Sequence, residues 1–158
     1  MRCNLFGQSR ALLCVVLLVV TRATADEPQA RFETQTLHGR VVYLAEAFEK
    51  QTGIASVPEA KDRILALQTA SGELIPLFED VRGRAFRRDD RLREMQLELV
   101  VRRYPQSPAV QIIRVIEVTK EGRHEIDYWC EICAIAMFEQ KDCECCQGPV
   151  ELRRRKIE

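Results

Sequence analysis

Residues 37–43 are rich in β-branched and aromatic side chains and predict a strand. From Val41 onward the apolar positions fall at Val41, Leu44, Ala45 and Phe48, which is helical spacing, so the strand runs into a short helix over 44–51 that Gly53 stops. Residues 63–68 and 74–78 flank Thr69-Ala70-Ser71-Gly72-Glu73 and predict a hairpin closed by a glycine-containing turn. Pro76 has no N–H for a ladder, which puts the second strand on an edge or at a bulge. Over 94–103 the alternation is clean, with Met95, Leu97, Leu99 and Val101 on one face and Gln96, Glu98 and Arg102 on the other. In 109–119 it slips, because Ile112-Ile113 and Val115-Ile116 are adjacent apolar pairs, and the slip predicts a bulge or burial on both faces. Lys120-Glu121-Gly122-Arg123 predicts a turn, and 124–129 a further strand leading into Cys130.

Between these elements, 80–93 interleaves arginines and acids around Phe86 and reads as a solvated loop with one anchoring aromatic. The fold class expected is mainly β, an α+β arrangement with one short helix. The order strand, hairpin, connecting segment, hairpin resembles the OB-fold over about residues 34–119, and that resemblance implies a small closed or half-closed barrel. An open α+β sandwich with 44–51 on one face is the competing architecture.

The first 25 residues read as a secretory signal: Arg2 and Arg10 supply a positive start, residues 11–20 are unbroken apolar, and Ala23-Thr24-Ala25 precedes Asp26 as a small-x-small cleavage site. Ten apolar residues span about 15 Å as a helix, against a hydrocarbon core of roughly 30 Å, so no stable membrane span is expected after cleavage. Export to the periplasm or to the outside is therefore the expected localisation, with an uncleaved tether as the lesser reading. The organisation that follows is signal peptide 1–25, flexible leader 26–33, OB-like β domain 34–123 and a cysteine module 124–158. The chain has 24 basic and 24 acidic residues, and the signal holds three arginines and no acid, so the exported part is slightly acidic. No positive field would draw it to nucleic acid.

All five cysteines beyond the signal lie in Cys130-Glu131-Ile132-Cys133 and, after a nine-residue gap, Cys143-Glu144-Cys145-Cys146. Two thiol pairs with two intervening residues have the spacing by which turns present sulfur to a tetrahedral metal. The stretch 124–154 resembles a zinc ribbon, with 134–138 as the strand between the thiol turns, 150–154 as the strand leaving, and Gly148 free to take positive φ after the second pair. The resemblance implies a structural zinc held by Cys130, Cys133, Cys143 and Cys146, although copper(I) accepts the same soft ligands. Cys145 has no place among four ligands; it either points outward as an extra thiol or displaces Cys143, and Cys143 is preferred because it repeats the spacing of the first pair. Oxidation is the rival, since exported thiols commonly pair, and an odd number leaves one free.

His38 and His124 sit in no motif, which gives a histidine-dependent catalytic set little support, and the expectation is a non-enzymatic module. Arg84, Arg87, Arg88 and Arg91 belong to a dense basic run whose expected roles are local salt bridging or contact with an acidic protein, glycan or membrane surface. The block as a whole resembles uncharacterised exported bacterial proteins that join a small β domain to a terminal cysteine segment. The residues that carry this are 65–93, with Pro76 and Asp80-Val81-Arg82-Gly83-Arg84, and 127–154 with the cysteines. The resemblance implies an exported, non-enzymatic module; together with the cysteine spacing the expected function is a metal-stabilised binding or interaction module, with extracytoplasmic thiol redox or metal handling as the alternative.

Overall fold

A computed structural model describes residues 31–158. The expected signal peptide and most of the leader lie outside the described residues. What is described of the leader is tied down: Glu33 already pairs with Arg103, and the Phe32 ring lies 5.8 Å from that of Tyr104.

The structure is mainly β, an antiparallel sheet of eight strands that is not closed. The strands are β1 (Glu33–Tyr43), β2 (Leu65–Gln68), β3 (Leu74–Pro76), β4 (Leu97–Arg103), β5 (Val110–Thr119), β6 (Gly122–Cys130), β7 (Ile135–Met137) and β8 (Glu151–Ile157). They follow the order β3-β2-β1-β4-β5-β6-β7, with β8 also on β6. β1 runs directly into α1 (Leu44–Thr52), and Gly53 ends it in the left-handed conformation at φ 73, donating to Glu49 O. The apolar slip in β5 is a bulge: Val100 pairs with Arg114 but Val101 with Ile112, leaving Ile113 as the extra residue.

The barrel implied by the OB-like order stays open. β3 is three residues long and ends at Pro76, so it has no ladder to offer β5; the two meet at a single parallel bridge, Leu77 to Val110, where Phe78 N–H donates to Val110 O. The chain then turns into a helix where a loop was expected. Asp80 caps α2 (Val81–Arg88), its carboxylate accepting from the N–H groups of Arg82 and Gly83, and α3 (Arg91–Glu94) follows. The interleaved charges of 80–93 hid an amphipathic pattern in which Gly83, Ala85, Phe86 and Leu92 are buried. Gly83 lets α2 fold back against the link that precedes it, since a Cβ there would stand 2.3 Å from Phe78 O.

β6 carries the sheet across the division expected between Arg123 and His124. Residues 123–125 pair with β5 on one side and β8 on the other, while 128–130 pair with β7. Tyr128 and Trp129 pair with β7 and β8 at once, so β7 takes the side of β6 that β5 has left. One core runs through both regions, from Val41, Leu65, Phe86 and Leu99 to Tyr128, Met137, Cys130 and Cys143. Among the described residues no helix is long and apolar enough to cross a membrane.

Candidate metal centre

Two turns with the same local design build the site. Cys130 ends β6, and the chain reverses through Glu131 and Ile132 to Cys133; Ala134 then takes φ 52 and donates its N–H to Cys130 O at 2.9 Å. In the second turn Cys143 leads to Cys146, Gln147 takes φ 58, and its N–H donates to Cys143 O at 2.9 Å. The first sulfur of each pair accepts backbone N–H groups from its own turn: Cys130 from Cys133 and Ile132, Cys143 from Cys146 and Cys145. Turns of this kind aim N–H dipoles at a sulfur and so favour its anionic form.

The positive φ after the second pair belongs to Gln147. Gly148, expected in that role, is needed for space: a Cβ on it would lie 3.0 Å from Ile132 Cδ1 and 3.3 Å from Cys146 Sγ. Its carbonyl receives Cys143 N–H at 2.8 Å, which fastens the return of the chain beneath the second turn. Signals for this arrangement are weak in the sequence, because the positive-φ residues are Ala134 and Gln147, types that give no warning of it.

Cys130, Cys133, Cys143 and Cys146 are brought together, their Sγ atoms all within 4.8 Å of one another. The leading cysteine of each pair is fully buried and the following one half-buried. All five described cysteines are free thiols, and the Cys130 and Cys146 sulfurs stand 3.5 Å apart, well beyond a bond of about 2.05 Å. Tetrahedral zinc at about 2.3 Å from each of four sulfurs would set them about 3.8 Å apart, so the cluster has the dimensions of a four-thiolate site. Cys145 is exposed and outside the group of four, beside the half-buried Cys133.

The thiols differ in acidity. Cys143 is lowered to about 7, first by the Cys146 N–H and then by that of Cys145. Cys133 is pushed up, first by the neighbouring thiol of Cys145 and then by that of Cys146. On Cys130 the largest influence, the Cys133 N–H, lowers it, but burial and the Cys143 and Cys146 thiols outweigh that and the net direction is upward. Four crowded thiols thus cannot all ionise by themselves, and a cation among them would relieve the conflict.

An ion pair and a buried hydrogen bond tie residues 124–158 to the strands and helices before them, and a second ion pair braces β8 on β6. Glu139, in the segment between the turns, is buried and takes both oxygens to Arg84 of α2, at 2.7 Å each, with Lys141 at 3.0 Å; Arg84 holds its carboxyl below the usual range. Tyr128, two residues before Cys130, donates to Asp89 Oδ2 at 2.8 Å inside the core, and Asp89 also receives Arg91. Arg153 of β8 grips Asp127 with two bonds and covers the Trp129 ring at 3.8 Å. Of the arginines expected to meet an acidic partner, Arg84, Arg87 and Arg91 are therefore occupied inside the fold, Arg87 by Glu79 and the carbonyl of Arg63. Arg88 is exposed and makes no ion pair among the described residues. Glu139 escaped the sequence reading because a lone acid carries no mark of its distant partner, whereas the Asp89-Asp90 pair was legible as ion-paired with neighbouring arginines but not as buried at Asp89.

Comparison with protein-family models, curated proteins and solved structures finds no match to this chain.

Proposed function

We propose that this protein is an exported, non-enzymatic binding module whose C-terminal region is folded around a structural zinc ion held by Cys130, Cys133, Cys143 and Cys146. The observation that carries the reading is the convergence of these four sulfurs within 4.8 Å, two from each of two matching turns. Four protein thiolates fill a tetrahedral ion completely, leaving no position for water or substrate, which is the character of a structural and not a catalytic site. All-sulfur ligation suits zinc, and copper(I) is the competitor on softness alone. An ion here supplies about 10–16 kcal/mol of apparent binding free energy, ample to order the turns between β6 and β8. Export rests on the pattern of residues 1–25.

The test is metal content of serine variants. Replacing any of the four cysteines should abolish stoichiometric zinc in the purified protein, while Cys145→Ser should keep it. Zinc retained in Cys143→Ser and lost in Cys145→Ser would overturn the ligand set. One observation favours a second reading: Cys145 is an exposed thiol beside a ligand, an arrangement suited to thiol exchange or metal hand-over. A disulfide that forms and reopens with metal release in the wild type, but not in Cys145→Ser, would mark that function.

A further inference from the structure

Where β5 parts from β6 and β7 takes its place, the sheet opens into a cleft of about 280 Å³. β5 is paired with β4 along one side, but on the other it has only the bridge at Val110 and the ladder from Ile116 onward. Residues 111–115 thus have no strand partner there, and 126–127 of β6 lie between its ladders to β5 and β7. An unpaired strand edge that is not covered presents N–H and C=O groups to any extended chain that fits.

The walls select the charge of that chain. Arg82 lies over the Phe138 ring at 3.6 Å and makes no ion pair among the described residues. Arg114 and Arg155 share one carboxylate, Glu125, at 2.8 and 2.7 Å. Asp127 at the floor is already matched by Arg153. The cleft therefore holds three guanidinium groups against one acid, Glu125, that is not already matched by Arg153, with Phe138 and Ile113 as apolar surface. Guanidinium groups in fixed positions recognise carboxylates by paired hydrogen bonds, and stacking on an aromatic ring holds Arg82 ready. At this volume the cleft admits a short segment and not a folded surface.

We propose that this cleft binds an extended acidic segment of a partner protein, its carboxylate on Arg82 and its main chain along residues 113–115. The site uses Ala136 and Phe138 from between the cysteine pairs, so it rests on the metal reading only insofar as the ion holds those residues in place. It also moves the expected acidic contact from Arg84, Arg87, Arg88 and Arg91 to a different face of arginines.

The experiment uses fluorescence anisotropy with a labelled, end-blocked peptide of alternating valine and glutamate, and its valine–glutamine counterpart, against the metal-loaded protein. The acidic peptide should bind and the neutral one should not. Arg82→Met, which keeps apolar packing on Phe138, should weaken binding about tenfold with zinc content unchanged. Amide exchange in 113–115 should slow only with the acidic peptide. Equal binding of both peptides, binding of neither, wild-type affinity in Arg82→Met, or displacement by acetate at the peptide's own concentration would each overturn the proposal. Zinc content is measured in the same samples: bound zinc without peptide binding sinks this inference alone, and peptide binding without zinc sinks the metal reading alone.

Discussion

Tyr128 offers the sharpest perturbation of the fold beneath the metal centre. Its ring is fully buried, and its hydroxyl donates at 2.8 Å to Asp89 Oδ2, a carboxylate that is itself only 4% exposed. Tyr128→Phe removes one hydrogen bond to a charged acceptor and leaves the ring packing intact. Asp89 keeps Arg91, whose Nε and Nη2 reach its two oxygens at 2.9 and 2.7 Å, so no charge is stranded. The expected loss is about 2 kcal/mol, the middle of the range for a hydrogen bond to a charged group. For a domain of this size that corresponds to a fall in Tm of about 6–10 °C. Asp89→Ala should cost more, because it strands the buried Tyr128 hydroxyl, and the double variant should recover part of that difference. Thermal unfolding of the four proteins in zinc-saturated buffer gives the cycle. A Tm for Tyr128→Phe within a degree or so of wild type, or strictly additive losses, would refute the argument that this bond carries the load.

Acid should destabilise the protein through the same carboxylates. Asp89, Glu125 and Glu139 are all held below their ordinary values, Glu125 chiefly by Arg114, Glu139 chiefly by Arg84, and Asp89 by Arg91 and Tyr128 against the larger opposing pull of burial. A depressed folded value means stability that is fully present above the unfolded value near pH 4 and is lost as pH falls through the folded one; because protons also compete with zinc for the thiolates, the carboxylate part is read as a difference, and the gap in urea midpoint between wild type and Glu139→Gln should stay constant from roughly pH 5 to 7 and shrink below roughly pH 4. Gly148→Ala should weaken zinc binding, because its methyl would crowd Cys146 Sγ at 3.3 Å and Ile132 Cδ1 at 3.0 Å; a chelator competition that gives the same affinity as wild type would contradict this. Leu99→Ala, at a fully buried position in the middle of β4, should cost about 3 kcal/mol in denaturant unfolding, and a loss below about 1 kcal/mol would place Leu99 outside the core.

A period-two pattern with one clear apolar face gave β4 directly, because such patterns report burial on a single face; the slip in β5 left a bulge or two-faced burial open, and the structure has the bulge. The α1 start and its stop at Gly53 were equally legible, being set by local spacing and one left-handed residue. α2 was not. Its helical face is made of Gly83, Ala85 and Phe86, small residues beside one large one, and six arginines in the segment mask the periodicity. Their charges look solvent-directed until Glu139 arrives from elsewhere in the chain and the neighbouring Glu79 and Asp89 take up Arg87 and Arg91. The expected barrel failed to close for a reason present in the sequence, Pro76, whose effect depends on which strand lies beside it. For the site, the grouping of Cys130, Cys133, Cys143 and Cys146 was legible because cysteines paired at two-residue spacing sit on short turns that can be brought face to face. The matching turns and the positive φ at Ala134 and Gln147 are properties of the folded backbone and left no trace in residue type, while Gly148 stood out as a glycine but for its backbone freedom and not for the close approach of Ile132 and Cys146.

The central claim is that one ion sits among Cys130, Cys133, Cys143 and Cys146. Native mass spectrometry of the protein purified without reductant measures it most directly, since a single mass distinguishes added metal from lost hydrogens. The account predicts one zinc per chain with every thiol still reduced. A metal-free chain whose mass is lowered by disulfide formation among these cysteines would contradict it.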